Sequence, residues 1–135
     1  MSTPFLLDTS VVIDLETADL GEWQVNLTVV SAITVGELAF GLDVPESEIV
    51  IARAERFRAV LESFEVLPFG VEEAKLYGVL ATLVRATGRN PRPRRLDLQI
   101  AATAAAARLP LLTCNPADFV GTERLVDVVA VHRAG

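Results

Sequence analysis

Five short β-type runs recur along this chain, at Phe5–Leu7, Val25–Val30, Val66–Phe69, Leu111–Thr113 and Val126–Val131, set apart by helical stretches and turns. Strands with one wet face alternate apolar and polar residues. Runs this apolar need cover on both faces, which is the mark of a parallel sheet packed between helices. Right-handed crossovers then give an α/β fold, a three-layer α/β/α sandwich with a mostly parallel sheet of about five strands. The helices read as follows. Thr9 and Ser10 are placed to cap one running through Glu16, and Ser31 to cap another through about Leu42. A longer one carries the stripe Val50, Ala54, Phe57, Leu61 and Phe64, at spacings of four and three. Val71–Thr87 puts Tyr77, Leu80 and Val84 on one face and ends at Gly88. Arg89–Arg95, with two prolines, reads as loop, Asp97 opens a helix running to Arg108, and Pro116–Phe119 is a short helical turn.

Size and composition narrow the chemistry. A chain of 135 residues suits one domain, here residues 1–135, and can bury roughly 68–70% of its unfolded surface. A hydrophobic content of 51% rules out a disordered tail. The longest uncharged stretch, Trp23–Gly36, is fourteen residues, well short of the ~20 a membrane span requires. No Lys or Arg precedes Asp8, so a secretory signal is not expected either. Cys114 is the one cysteine and His132 the one histidine, which excludes a disulfide framework and a Cys/His zinc site. The expectation is a reduced, cytoplasmic domain whose polar chemistry rests on carboxylates.

Four acids stand out by position. Asp8 closes the first strand, Glu37 sits in the otherwise apolar helix after the second, Asp97 opens a helix, and Asp118 follows the fourth strand by five residues. Taken singly, Asp8 and Asp97 also suit helix capping, and Asp118 suits a solvated loop. Glu37, amid Ala32, Ile33, Val35, Leu38 and Phe40, must reach a polar edge or be buried with a partner. In doubly wound sheets, ligands gather beyond the C-terminal strand ends; three of the four acids belong to βα junctions or the segment just after, and the same sheet edge could collect them. Gathered carboxylates repel and raise one another's pKa unless a cation neutralises them. No Lys or Arg lies near the expected strand ends except in the 89–95 loop, so a hard divalent cation such as Mg²⁺ is the economical answer. Such a site positions water for attack on phosphorus, giving metal-dependent phosphodiester hydrolysis. Rival chemistries lack their parts: Ser10 stands where a dehalogenase-type phosphatase needs a second Asp, and there is neither a phosphate-binding glycine loop nor a Gly-x-Ser-x-Gly elbow.

Four segments in order, Leu6-Leu7-Asp8-Thr9-Ser10-Val11, Ser31-Ala32-Ile33-Thr34-Val35-Gly36-Glu37-Leu38, Asp97-Leu98-Gln99-Ile100-Ala101-Ala102-Thr103-Ala104 and Leu111-Leu112-Thr113-Cys114-Asn115-Pro116-Ala117-Asp118-Phe119, together resemble the PIN domain, and most closely the VapC toxins of bacterial toxin–antitoxin pairs. The resemblance spans nearly the whole chain. It implies a Mg²⁺- or Mn²⁺-dependent endoribonuclease with Asp8, Glu37, Asp97 and Asp118 as catalytic, metal-binding acids. Thr9, Ser10, Thr113 and Asn115 would be polar support. Many PIN domains carry an acid where this chain has Asn115, which bears on the number of metal ions. The resemblance further implies a homodimer and inhibition by a cognate VapB-like antitoxin. An apolar groove between the helix of residues 45–64 and the Tyr77–Val84 face is the expected seat of an amphipathic partner helix, with ordinary core packing as the plainer reading of the same residues. The rival function is a PIN-like scaffold that binds RNA or a partner without cutting.

A net charge of −6 argues against nucleic acid, yet Arg85, Arg89, Arg92, Arg94 and Arg95 crowd into eleven residues. They are either a solvated loop or, given the resemblance, the rim that holds RNA phosphates next to Asp97. On the second reading, changing Arg92, Arg94 and Arg95 to Ala weakens RNA binding and flattens its salt dependence. An unchanged slope of affinity against salt concentration returns them to the role of a solvated loop.

Overall fold

Each of the core strands is only three or four residues long, so pairing and burial rather than length define the sheet. A computed structural model describes residues 3–133; the two residues at each end of the expected domain lie outside them. The order is β1 (Phe5–Leu7), α1 (Thr9–Ile13), β2 (Ala18–Asp19), β3 (Thr28–Ser31), α2 (Ala32–Phe40), α3 (Ser47–Ser63), β4 (Glu65–Leu67), α4 (Val71–Ala86), α5 (Arg95–Ala107), β5 (Leu111–Thr113), β6 (Val128–Ala130) and β7 (His132–Arg133). Five strands form one wholly parallel sheet in the order β4-β3-β1-β5-β6. The chain moves from β1 to β3 on one side and later to β5 on the other, so β1 is the switch point where the sheet leaves a crevice.

Alternation along β1 divides the core in two. Leu6 points into a cluster with Leu80 and Val84 of α4, Leu98 and Ile100 of α5, and Phe119. Phe5 and Leu7 point the other way, onto Val11 and Val12 of α1, Leu38 of α2 and Val60 of α3. Trp23 meets the Phe5 ring edge-on at 5.3 Å. The buried alanines 101, 102 and 104 bring α5 close to the sheet. Three layers result, as the apolar runs require, and among the described residues no helix is long and apolar enough to cross a membrane.

The structure corrects several boundaries. Val25–Leu27 is a 3₁₀ turn with Val25 half exposed, and the strand begins only at Thr28, where pairing with β1 starts. The first helix stops at Ile13, and neither Thr9 nor Ser10 caps it; their hydroxyls are bound to acids instead. Ser31 does cap α2, accepting from the Ile33 N–H at 3.1 Å. The inward stripe of α3 runs through Val60, while Ala54 and Leu61 are exposed. The groove beside α3 is therefore walled by α1, not by α4: a cleft of about 620 Å³ lined by Val12, Ile13, Ala59, Val60 and Phe64. The Tyr77–Val84 face is used up on the opposite side of the sheet against α5. A two-stranded antiparallel ribbon, β2 with β7, was not expected; the Arg133–Asp14 ion pair ties β7 to the end of α1.

Arg108, after α5, adopts a left-handed conformation with φ 56°. An L side chain there is disfavoured by roughly 1–2 kcal/mol, which glycine avoids, though glycine loses more entropy on folding. Arg108→Gly is expected to raise stability by ~0.5–1 kcal/mol in urea denaturation.

Candidate active site

Asp8 is the residue at which β1 ends, in the crevice between β3 and β5, and it is almost wholly buried. Its Oδ2 accepts two hydroxyl protons, from Ser10 and from Thr113, each at 2.8 Å. The two hydroxyls are themselves held by the backbone, Ser10 by the Cys114 N–H at 3.2 Å and Thr113 by the Asn115 N–H at 3.0 Å. One carboxylate oxygen is thus fully engaged, and the ring of bonds fixes the side chain. Burial pushes the Asp8 carboxyl up; the Ser10, Thr113 and Thr9 hydrogen bonds oppose this, and the Asp118 charge adds to it.

Glu37 lies half-buried in α2, and its Oε1 accepts from the Thr9 hydroxyl at 2.8 Å. Thr9 also lies 2.9 Å from Thr34 Oγ1. A hydroxyl has one proton, and Thr9 gives its own to Glu37, so Thr34 must be the donor to Thr9. Thr34 is fully buried one helical turn before Glu37. The sequence reading missed it, although the i,i+3 spacing to Glu37 was a usable signal. Ser31, expected as a cap, also lies 2.9 Å from Thr103, a pairing that was not expected. Thr103 donates to the Gln99 carbonyl at 2.9 Å, so Ser31 donates to Thr103. That bond ties the start of α2, which carries Glu37, to α5, which carries Asp97. Burial raises the Glu37 carboxyl, the Thr9 bond lowers it, and the Asp8 charge raises it.

Asp97 sits in the first turn of α5, three residues after the N-cap Arg94 and so not at the cap. Because α5 leads within three residues into the start of β5, its own first turn lies at the C-terminal edge of the sheet. The Asp97 carboxyl is pushed up to about 7, first by burial and then by the charges of Asp8, Asp118 and Glu37, with Arg94 opposing. One acid therefore feels all three others. Asp118 is carried by the Pro116–Phe119 turn, pinned by buried Phe119 and by Arg89, whose Nη1 donates to the Ala117 carbonyl at 2.8 Å.

The remaining expected residues divide. Ser10, Thr9 and Thr113 bind the acids directly, whereas Asn115 is exposed and serves Thr113 through its backbone. Of the loop arginines, Arg94 acts on Asp97, and its buried Nε has no hydrogen-bond partner among the described residues. Arg92 and Arg95 are exposed, with Arg95 donating to the Arg92 carbonyl. The expectation that no other cation stands near the strand ends is corrected: Arg53 and Arg56 of α3 line a cleft of about 240 Å³ together with Thr9 and Glu37. Helix α3 lies far from these residues in sequence and reaches them only through packing.

Among the described residues, no three His, Cys, Asp or Glu side chains stand close enough to hold an ion as a group. The donor set nonetheless fits a hard cation. It is all oxygen, it carries like charges that raise one another's pKa, and Mg²⁺ binds proteins through as few as one or two carboxylates plus waters.

Fold and site define an α/β/α protein with an acidic crevice at the switch point of a parallel sheet. The sequence pattern of the PIN domain matches residues 5–123, and the chain belongs to the PIN domain family. It is similar to Ribonuclease VapC of Rickettsia bellii (strain RML369-C), 32% identical over 123 residues that make up 84% of this chain and 87% of that protein. Ribonuclease VapC1 of Rickettsia felis (strain ATCC VR-1525 / URRWXCal2) is 31% identical over 119 residues, with the same shares covered. Among solved structures, VapBC-5 from Mycobacterium tuberculosis, a member of the VapBC family of toxin–antitoxin systems, matches with a TM-score of 0.73 at 26% identity, covering 95% of this chain and 97% of that one.

The raised Asp97 carboxyl has a signed consequence. In metal-free protein the folded state holds a proton up to about pH 7, while the unfolded chain loses it near pH 3.8. Folding thus takes up a proton in that window, and stability falls as pH rises through it. Asp97→Asn is expected to flatten this decline and, at pH 8 in EDTA, to raise stability by roughly 1 kcal/mol, well below the full shift because Asp97 is partly solvated. Urea denaturation at pH 5 and pH 8 measures it.

Proposed function

We propose that this chain is a divalent-metal-dependent endoribonuclease and the toxin of a toxin–antitoxin pair, with Asp8, Glu37, Asp97 and Asp118 as its catalytic, metal-binding acids. The observation that carries the reading is the Asp97 carboxyl, raised first by burial and then by three further acids from three other segments. A fold that needed only capping or solubility has no use for that repulsion. The substrate class and the toxin role are supported by the similarity to Ribonuclease VapC.

Bound at these acids, Mg²⁺ or Mn²⁺ supplies an activated water and neutralises charge on the leaving oxygen. The chain's own residues prepare for this. Ser10 and Thr113 both bind Asp8 Oδ2, and the Thr9 backbone N–H adds a third bond to the same carboxylate, so its orientation is fixed before an ion arrives. Thr9 holds Glu37 Oε1 and leaves Oε2 free. Asp97 keeps a proton near neutrality and releases it as positive charge enters, so metal affinity rises with pH through about 7. Arg94 stands beside Asp97 as a counter-charge for phosphate.

The proposed partners are single-stranded or structured RNA, a cognate VapB-like antitoxin and a second copy of the chain in a homodimer. The cleft between α1 and α3, which shares Ile13 and Arg56 with the smaller cleft that Glu37 lines, suits an amphipathic antitoxin segment. An antitoxin guanidinium reaching the carboxylates would block metal and substrate together. A second reading, a PIN-like scaffold that binds without cutting, draws on one observation: the acids as they stand are not drawn together around an ion.

One pair of measurements separates the two. In the nuclease, Mg²⁺ or Mn²⁺ raises the melting temperature by mass action, and RNA is cut with metal but not in excess EDTA. Asp8→Asn abolishes cleavage, a loss of at least ~10²-fold, while the circular dichroism spectrum stays that of the wild type. Cleavage that survives Asp8→Asn or EDTA refutes the nuclease reading, and metal that stabilises without any RNA cleavage favours the scaffold.

A further inference from the structure

Resting on the ribonuclease reading, we propose that the cleft between α2 and α3 is a second phosphate subsite, in which Arg53 and Arg56 hold a phosphodiester of the RNA adjoining the one that is cut. The cleft encloses about 240 Å³ and is bounded by Thr9, Glu37, Gly41, Arg53 and Arg56. It therefore opens directly onto one of the four acids and onto the hydroxyl that orients it.

The two arginines are one helical turn apart, so they share a face of α3. Arg53 is set in place, its Nη1 donating to the Gly41 carbonyl at 2.7 Å. Arg56 makes no hydrogen bond or ion pair among the described residues, yet it is only half exposed and lines this cleft as well as the neighbouring one. Neither guanidinium pairs with Glu37, whose Oε1 is taken by Thr9 and whose carboxyl answers to burial, to Thr9 and to Asp8. Two cations thus stand beside an acidic site without neutralising it. Their five-donor forks suit an anion with several oxygens, which is what a phosphodiester presents.

Electrostatics requires something of this kind. The net charge is −6 and the crevice holds four acids, so an RNA strand is repelled except where cations receive its backbone. Arg94 does this on the α5 side. Arg53 and Arg56 do it on the α3 side, where they line one cleft with Glu37, as Arg94 acts on Asp97.

The test uses a short fluorescein-labelled single-stranded oligoribonucleotide, read by anisotropy across a salt series and by cleavage with Mn²⁺. Arg56→Ala is the main variant, because this side chain has no hydrogen-bond or ion-pair partner among the described residues to lose; Arg53→Ala releases the Gly41 carbonyl and is read together with its melting curve. Arg58→Ala, an exposed position of α3 outside the cleft, is the control. The expected result for Arg56→Ala is about tenfold weaker binding and a matching rise in KM with kcat retained, together with a salt slope shallower by about 0.7 for the lost contact. Arg56→Lys restores part of the affinity, and Arg58→Ala leaves it at the wild-type value.

Wild-type protein that cuts the RNA while Arg56→Ala matches it in affinity, KM and salt slope overturns the subsite and leaves the ribonuclease standing. Polyglutamate binding that is lost with Arg56 while RNA binding persists assigns the pair to an acidic protein segment and likewise overturns it. Wild-type protein that neither binds nor cuts RNA overturns both.

Discussion

Everything in this molecule turns on holding like charges near one another. Four carboxylates lie toward the switch point of the sheet, and burial, with the charges of the other three added, drives one of them, Asp97, up to about 7. Burial of Asp8 makes that worse, since a buried charge loses its hydration. What keeps the acids in place is a scaffold of hydroxyls. Ser10 and Thr113 hold Asp8, and Thr34 and Thr9 hold Glu37. Hydrogen bonds to a charged acceptor are about twice as strong as neutral ones, so these small residues do more than fill space.

The location of that cluster follows from topology. Strand β1 has β3 on one side and β5 on the other, and its end is the one place where loops leave the sheet in opposite directions. Asp8 occupies it. Glu37 arrives on the helix after β3, Asp118 on the turn after β5, and Asp97 on the helix that descends into β5. The Ser31–Thr103 bond links two of these elements directly. Stability and site are coupled here: the short strands align through buried Leu6, Leu7, Leu111 and Leu112, and the same register brings the acids to one edge.

The two faces of the sheet have different tasks. Helices α4 and α5 pack against each other and seal one side. The other side is looser, with α3 leaving clefts against α1 and α2. Both clefts meet at Arg56 and Ile13, next to Glu37. Under the proposed function, substrate and inhibitor would approach by the same face, so a protein partner seated there competes with RNA without altering the acids themselves.

The layered α/β/α plan was legible in the chain because uniformly apolar strands admit few arrangements, and Ser31 announced its helix because a hydroxyl at that position satisfies an orphan N–H. Glu37 was legible as a carboxylate that needs a partner in an apolar helix, and it has one in Thr9; Asp8 was open to a capping role, and only the fold shows it at the N-cap of α1 with its carboxylate held by Ser10 and Thr113 instead. Local signals failed where long-range pairing decides. Val25 carries β propensity but bends into a 3₁₀ turn because the sheet offers no partner before Thr28. The α1 wall of the groove, the β2–β7 ribbon and the positions of Arg53, Arg56 and Thr34 depend on segments 12 to 119 residues apart in the chain meeting in space. Which residue types were present, and in what periodicity, is a property of the sequence; which of them became neighbours is a property of the fold, because a contact between distant segments exists only after the whole sheet has closed.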